Sequence, residues 1–252
     1  MIQLLEKLTK NDKPVFIINY NWYKMPKSMY ETFLNHNLIP IIIDNGSNYE
    51  PTLDWYNTIK YNVIKTPDNV LKDHRVFWNL NISQYIKSDN FAVTDPDLDV
   101  SDLPMDWFDV CKNALKYAPG MIKKVGPGLS LDGLPVERAF HEYLDGRDAS
   151  TPDKWEACNW QQHFNEHSFV AGIDTTLAVY SQEREKVLPN EQYFLNALRM
   201  KPPYVCKHIP WYFSFDNIDS EIINFIKTAN TTSSNMAKFA KNKAENLGLN
   251  IF

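Results

Sequence analysis

Residues 14–44 read PVFIINYNWYKMPKSMYETFLNHNLIPIIID, which is two apolar runs separated by a helical pattern. The first run, residues 14–20, is entered by a proline and is rich in β-branched and aromatic side chains, which predicts a buried strand. Residues 25–37 carry apolar side chains at helical spacing, and residues 40–43 form a second apolar run that stops at Asp44. A strand, a helix and a strand in this order predict one βαβ unit of a parallel sheet.

The same alternation continues as far as residue 117. A further apolar run at residues 91–94 matters most, because it leads directly into a group of acidic residues. Strands that alternate with helices in this way are typical of an α/β fold with a parallel sheet. The other predicted elements here are helices at 53–61 and 105–117, a short strand at 62–65, and a loop and helix at 69–78.

The second half of the chain has a different pattern. Short strands are predicted at residues 121–125 and 170–180, separated by an irregular, Trp-rich stretch, and a basic amphipathic helix is predicted at 236–247. No linker divides the two patterns, and a chain of about 250 residues suits one core, so we expect a single domain. Its parts would be an α/β half at 14–118, a mixed half at 119–215 and a helical tail at 216–252.

Composition excludes some classes of protein. The 252 residues carry a formal net charge of -5, which argues against a surface dedicated to nucleic-acid backbones. Cys111, Cys158 and Cys206 lie far apart without any CxxC pairing, which favours a reducing compartment over a disulfide frame or a zinc site. The first residues lack a signal-peptide core, and no window resembles a membrane span. We therefore expect a cytoplasmic protein, or one of the host cytoplasm if the chain is viral.

The strongest chemical signal is TDPDLD at residues 94–99, at the carboxyl end of a predicted strand. Ligands of open α/β sheets collect outside such strand ends. A proline-bent turn can direct Asp95 and Asp97 toward one hard cation, and Mg²⁺ or Mn²⁺ commonly bridges carboxylates to substrate phosphates. The stretch is therefore a candidate diphosphate site. The alternative is a simple turn, in which Asp99, Ser101 or Asp102 could cap the next helix.

Three further positions combine polar chemistry with an apolar setting. Asp44 and Ser47 lie in a DNGS turn near Asn19 and suit a nucleoside, although turn geometry alone also explains them. Asp174 enters a predicted apolar strand, where a carboxylate is costly without partners, so it has either a task or a structural hydrogen-bond network. His208, in KHIPWY at 207–212, is the best third metal ligand, although a lone His is more often structural.

Seven stretches, in order, resemble a family of small GT-A glycosyltransferases related to the family 2 type and found in bacteria and large DNA viruses. They cover residues 14 to about 213. The resemblance implies an α/β GT-A fold, in which a Rossmann-like nucleotide-binding half with a mixed central sheet precedes an acceptor-side half. It also implies a nucleotide-diphosphate sugar donor and Mn²⁺ or Mg²⁺. The stretches are VFIINYN, IIIDNGSNYEPTLDWY, LKDHRVFW, FAVTDPDLDV, KKVGPGLSLDGLP, GIDTTLAVY and PPYVCKHIPWY.

The resemblance also implies roles for individual residues. Asp95 and Asp97 would form the DxD pair, with Asp97 the direct metal ligand and Asp95 nearer the ribose or the sugar. His208 would close the metal site. Where an asparagine-glycine-like turn is expected, this chain has Leu71-Lys72-Asp73, which leaves the roles of Lys72 and Asp73 open, and nothing after residue 215 has a counterpart. Asn19, Asp44 and Ser47 would line the nucleoside pocket, with Lys72, His74 and Arg75 near the base or the diphosphate.

Two mechanisms stay open at this stage. An inverting transferase needs a carboxylate that takes the proton of the acceptor hydroxyl, and Asp174 is the candidate. In a retaining enzyme the leaving diphosphate can receive that proton, and Asp174 would then orient the acceptor or the sugar.

We therefore expect a hexosyl- or pentosyltransferase that uses a nucleotide-diphosphate sugar, with UDP favoured, and acts on a hydroxyl of a glycan, glycolipid or protein. One alternative acceptor is a hydroxylated base of phage or viral DNA, contacted by Lys238, Lys241 and Lys243. A second alternative is a non-catalytic module that binds nucleotide-sugars or carbohydrates. The joint presence of the three metal-ligand candidates disfavours that module.

Overall fold

The computed structural model describes residues 2–67, 74–135, 152–185, 196–228, 235–246 and 248–250. Within these ranges the strands form an eight-stranded sheet and a three-stranded sheet. In chain order the strands are β1 (Pro14–Asn19), β2 (Ile39–Asp44), β3 (Val63–Lys65), β4 (Asn90–Thr94), β5 (Leu98–Asp99), β6 (Lys124–Gly126), β7 (Gly128–Leu129), β8 (Ser168–Val170), β9 (Ala178–Ser181), β10 (Ala197–Met200) and β11 (Val205–His208). The α-helices are α1 (Ile2–Leu5), α2 (Lys24–Asn35), α3 (Glu50–Thr58), α4 (Val76–Asn79), α5 (Trp107–Tyr117), α6 (Pro152–Ala157), α7 (Gln182–Glu185), α8 (Ser220–Thr228) and α9 (Asn235–Asn246).

The large sheet begins as a parallel sheet. Its strand order is β3-β2-β1-β4-β9-β6-β10-β8, and the first four strands run parallel to one another. All six residues of β1 are buried, because side chains from both faces of the strand enter apolar clusters. Continuous apolar runs such as this one are what a parallel sheet with two covered faces requires.

Beyond β4 the sheet becomes mixed. β9 lies antiparallel between β4 and β6, β10 continues parallel to β6, and β8 closes the edge in the antiparallel direction. The predicted α/β class is thus confirmed: the fold has the Rossmann-like parallel half and the mixed central sheet of a GT-A-like fold.

One predicted strand is wrong. Residues 170–180 do not form a single strand, because β8 ends at Val170 and β9 begins only at Ala178. The turn between them lies so close to β6 that a side chain at Gly126 would collide with the carbonyl oxygen of Leu177. The Thr175 carbonyl oxygen accepts from the Asp95 amide, which joins the end of this turn to the residue that follows β4.

The C-terminal helices pack against the loop that follows β1. Trp22, from that loop, stacks on Phe225 of α8 with ring centroids 4.3 Å apart. The predicted amphipathic helix is α9, whose buried side carries alanines, and its basic side chains lie elsewhere on the helix. The cluster around Trp22 also includes Phe213, Phe215, Ile222, Ile226, Ala237, Ala240 and Ala244.

Two observations concern the predicted compartment. The three cysteines are free thiols, with Cys111 and Cys206 buried and Cys158 exposed. Among the described ranges, no helix has the length and apolar character needed to cross a membrane. The cytoplasmic location stays a prediction.

Candidate active site

The parallel strands bring the predicted site residues to one edge of the sheet. Asn19 and Asp44 end β1 and β2 and are register partners. Thr94 ends β4 and pairs with Ile17 of β1, so the acidic stretch that follows Thr94 leaves the sheet beside Asn19. The carboxyl edge of the parallel half therefore carries both the nucleoside candidates and the DxD pair, as expected for an open α/β sheet.

Asp97 and His208 are neighbours because two short strands pair. β5 and β11 run antiparallel, with His208 opposite Leu98, and the Ile209 amide donates to the Asp97 carbonyl oxygen. His208 Nε2 lies 3.6 Å from Asp97 Oδ2. In the described part of the chain, Asp97 Oδ1 and His208 Nδ1 are buried without a hydrogen-bond partner. Such unpartnered buried atoms are uncommon in folded proteins, and these two can take part in binding a further group.

Asp95 is held by the turn that precedes β9. The Thr175 hydroxyl donates to Asp95 Oδ2, and the Asp95 amide donates to the Thr175 carbonyl oxygen at 3.0 Å. Burial, reinforced by the nearby Asp97 carboxylate, raises the pKa of Asp95 well above its usual range. Two carboxylates at such close quarters favour a cation between them or a shared proton.

The donor set fits part of a divalent metal site. Carboxylate oxygen and imidazole nitrogen are ligands of Mn²⁺ and related ions, and such ions often take only one or two carboxylates from the protein and the rest from substrate phosphates and water. Within the described ranges, no group of three or more His, Cys, Asp and Glu side chains is gathered closely enough to hold an ion alone. A diphosphate would therefore have to complete the coordination.

Asp174 is placed differently from the sequence expectation. Its side chain is exposed in the turn between β8 and β9, so the cost of burying a carboxylate does not apply. Asp174 Oδ1 accepts from the Thr175 amide at 2.9 Å, and its carbonyl oxygen accepts from Lys124 Nζ at 3.0 Å. Asp174 thus lies one residue from the hydroxyl that holds Asp95, with a carboxylate open to an acceptor.

The nucleoside candidates form a buried polar group. Asn19 Nδ2 donates to the Trp22 carbonyl oxygen at 2.7 Å and to the Tyr56 hydroxyl at 2.8 Å, while Asp44 Oδ1 accepts from the Ser47 amide at 2.9 Å. Asn19 Oδ1 is buried and has no partner among the described residues. The three predicted residues therefore come together and leave one acceptor unused.

Tyr56 belongs to this group although the sequence did not single it out. Its ring is buried, and burial together with the Asp44 carboxylate raises the pKa of the hydroxyl, so Tyr56 stays protonated and can act as a donor. Tyr56 lies on α3 at a position that sequence periodicity treats as core. Its hydroxyl is visible as a site element only once α3 is placed over β1.

Asn21 was also missed, and it joins two loops of the site. Its backbone has a positive φ of 57°, which Asn tolerates better than most residues. Asn21 Oδ1 accepts from the amides of Asn48 and Tyr49 at 2.7 and 3.0 Å, and its own amide donates to Ser47 Oγ at 2.9 Å. The loop after β1 is thus joined to the loop after β2 by these three hydrogen bonds.

Lys124 is a third residue that the sequence did not reveal. It is almost wholly buried, with 1% of its surface exposed, at the start of β6. Burial lowers the pKa of its ammonium to about 7, with the nearby Asp174 carboxylate opposing the change. Lys124 holds the 174–175 turn through the hydrogen bond from its Nζ to the Asp174 carbonyl oxygen.

The remaining predicted residues contribute less to this picture. Lys72 and Asp73 lie outside the described residues. His74 and Arg75 are exposed just before α4. Asp99 does not cap α5; its Oδ1 accepts from the Ser101 amide and closes a local turn instead.

Comparison with known proteins gives distant structural likenesses. No family model matches the chain, and no curated protein matches it. A crystal structure described as that of a mycobacterial protein is similar with a TM-score of 0.48 and 12% identity, over 99% of this chain and 79% of that one. A GalNAc-T7 crystallised with UDP, GalNAc and Mn²⁺ is similar with a TM-score of 0.47 and 11% identity. That match covers 86% of this chain and spans 48% of the GalNAc-T7 chain. Both structural likenesses are remote.

Proposed function

We propose that this chain is a metal-dependent glycosyltransferase that moves a sugar from a nucleotide-diphosphate sugar to a hydroxyl acceptor on a glycan or glycoconjugate. The observation that carries the proposal is the Asp97–His208 pair. Each of these residues has a buried polar atom without a partner in the described part of the chain, and the pair lies at the carboxyl edge beside Asp95. The contact between the two side chains uses His208 Nε2 and Asp97 Oδ2, so it leaves Asp97 Oδ1 and His208 Nδ1 available to a cation and to the other ligands of that cation.

The residues at this edge divide the work of the reaction. Asp97 and His208 would hold the cation, which when bound neutralises charge that develops on the leaving diphosphate. Asp95, fixed by Thr175, would orient the ribose or the sugar. The exposed Asp174 carboxylate would meet the acceptor hydroxyl, either taking its proton in an inverting reaction or orienting it in a retaining one.

The nucleoside group favours a base with an N–H donor. Asn19 Oδ1 is an acceptor without a partner among the described residues, and it lies next to the Asp44 and Ser47 turn. Uracil presents such an N–H on its pairing edge, as the other bases do, and leaving a buried acceptor unpaired costs about 1–3 kcal/mol. A UDP-sugar, the donor favoured from the sequence, fits this acceptor, and comparison with GDP-sugars decides the base.

A thermal-stability screen tests the proposal. UDP, GDP and their sugars are added with Mn²⁺, with Mg²⁺ or with EDTA, and the melting temperature is recorded. Ligand at about 100 times its Kd adds about 2.7 kcal/mol of stability, so a true donor should raise the melting temperature clearly, and by more with metal than with EDTA. Equal stabilisation with metal and with EDTA, or none with any nucleotide, would contradict the proposal.

The structure offers no specific observation in favour of DNA as the acceptor. The amphipathic pattern of α9 is accounted for by its alanines, which pack in the Trp22 cluster. Lys238 is exposed, as a solvated helix face requires, and the chain is acidic overall. A salt-dependent gel shift on duplex DNA would support that alternative.

The other alternative is a module that binds nucleotide-sugars or carbohydrates without catalysis. It is tested by measuring hydrolysis of the donor with and without metal.

A further inference from the structure

The C-terminal helix α8 contacts the loop between β1 and α2 through a buried carboxylate. Glu221 is only 3% exposed, and its Oε1 accepts from the amides of Tyr23 and Lys24 at 2.5 and 2.9 Å. These two amides open α2, where Tyr23 occupies the N-cap position without a side-chain cap of its own. Glu221 thus supplies, from 198 residues away, an acceptor for the first two amides of the helix start, as the Glu of a capping box does for the N-cap amide.

The contact is stronger than a cap between neutral groups. A carboxylate at a helix N-terminus is favoured by the helix dipole, and hydrogen bonds to an ionised acceptor are stronger than neutral ones. Burial raises the pKa of Glu221, while the two amides that it accepts from oppose that change. An apolar side chain would bury in this place without the cost of desolvation, so the carboxylate is there for the bonds that it makes.

Each of residues 21–24, which are the end of the loop after β1 and the first residue of α2, contacts α8 or the turn before α8. Asn21 Nδ2 donates to Thr228 Oγ1 at 3.3 Å, and Trp22 stacks on Phe225. Tyr23 and Lys24 donate to Glu221, and Lys24 Nζ also pairs with Asp219 Oδ2 at 2.5 Å. The last contact is exposed and contributes little by itself.

The same loop carries part of the nucleoside group. The Trp22 carbonyl oxygen accepts from Asn19 Nδ2, which fixes the direction of the unpaired Asn19 Oδ1. Asn21 binds the 47–49 loop through both its amide and its side chain. This loop therefore connects the contacts made by α8 to Asn19 and to Ser47.

We propose that Glu221, on α8, is a positioning residue of the donor site, which sets the geometry of the loop between β1 and α2 for the nucleoside. This inference rests on the function proposed above. It assigns a task to the C-terminal segment, the part of the chain for which the sequence offered no counterpart.

The test compares Glu221→Ala and Glu221→Gln with Ile226→Ala, a control on the same helix. Ile226 is fully buried in the Trp22 cluster and makes no polar contact with the loop, so its truncation loosens the packing of α8 without removing the two hydrogen bonds. Two quantities are measured for each variant: the hydrogen-exchange rates of the Tyr23 and Lys24 amides, and the Kd for UDP with Mn²⁺ by calorimetry.

Glu221→Ala should speed exchange at both amides and weaken UDP binding by about 10-fold, which is the scale of a lost hydrogen bond to a charged group. Glu221→Gln keeps an acceptor oxygen and should stay within about 3-fold of wild type, since a neutral acceptor is the weaker one. Ile226→Ala should lower the melting temperature yet leave the Kd near the wild-type value.

If Glu221→Ala binds UDP as wild type does while the two amides exchange rapidly, the positioning role is wrong. Equal losses of affinity in Glu221→Ala and Ile226→Ala would also overturn it, because general loosening would then explain both. If Glu221→Ala does not fold, Phe225→Ala replaces it: Phe225 is partly exposed, and removing its stacking on Trp22 should weaken UDP binding several-fold. A wild-type protein that binds no nucleotide with metal refutes the proposed function, and the amide exchange still reports whether Glu221 holds the loop.

Discussion

His208 is the residue whose role separates a metal site from a structural pair. If it is a ligand, His208→Ala should raise the Mn²⁺ concentration needed for half-maximal stabilisation by at least about tenfold, since even outer-sphere changes cost 10–100-fold. UDP affinity without metal should change little. The control is His167→Ala, an exposed histidine beside Glu166. Equal losses of UDP affinity with and without metal would make His208 a nucleotide or structural residue.

Asp174 tests the mechanism. Asp174→Asn keeps an oxygen that can accept from the Thr175 amide, so the turn and the melting temperature should be preserved. If Asp174 is the base, transfer to the acceptor should fall by about 10²-fold or more with donor binding kept. A smaller loss with a raised KM for the acceptor would indicate an orienting role. Steady-state transfer rates and a melting curve on one preparation decide it, and unchanged turnover in a stable variant would exclude Asp174 from the site.

Lys124 makes stability depend on pH. Burial lowers its pKa from 10.5 to about 7, so between these values the folded state binds fewer protons than the unfolded state. Stability should therefore rise with pH across this window. Lys124→Met lacks the charge, and its advantage over wild type should be largest at pH 7 and shrink toward pH 9.5. Urea unfolding in EDTA at both pH values measures this, and a pH-independent difference would contradict the assignment.

At the scale of elements, the sequence predicted the parallel half well. Continuous apolar runs define β1, β2 and β4 without help from tertiary structure, because both faces of these strands are buried. The break between β8 and β9 could not be predicted in the same way. The two strands pair with different neighbours, β8 with β10 and β9 with β4 and β6, and these long-range pairings have no local signature in the sequence.

The site shows the same division. Residues at strand ends, such as Asn19 and Asp97, could be found from sequence because ligands gather there. His208 could be proposed as a third metal ligand from its setting in the sequence, but the pairing of β5 with β11, which brings it to Asp97, was not predicted. Tyr56 and Glu221 could not be found, since polar atoms on helices acquire a role only when the helix is placed.

The close passage of the 172–177 turn over β6 can be tested with glycines. A Cβ at Gly126 would meet the Leu177 carbonyl and the Ile173 side chain, whereas one at Gly120 meets nothing within 4 Å. Gly126→Ala should therefore destabilise the protein by about 1–3 kcal/mol through overpacking, and Gly120→Ala should be near neutral. The free energies come from urea unfolding. Equal effects of the two substitutions would show that the turn does not lie against β6.

For the whole molecule, the site is built from parts that are distant in sequence. The parallel half supplies Asn19, Asp44 and the acidic stretch after β4, while the later half supplies the 174–175 turn and His208. The C-terminal helices close the loop after β1. The donor site therefore depends on contacts between all three parts of the chain.

The central claim is that Asp97 holds a divalent ion that the donor needs. The most direct measurement is the rate of UDP release from a UDP-sugar by wild type, by Asp97→Asn and by Asp102→Asn, each with Mn²⁺ and with EDTA. Asp102 is an exposed aspartate five residues further on and serves as the matched control. Removal of a catalytic carboxylate typically costs about 10²-fold or more, so Asp97→Asn with metal should fall to the level of wild type in EDTA, with its melting temperature kept. Wild-type turnover by Asp97→Asn in excess Mn²⁺, or turnover by wild type that survives EDTA, would contradict the account.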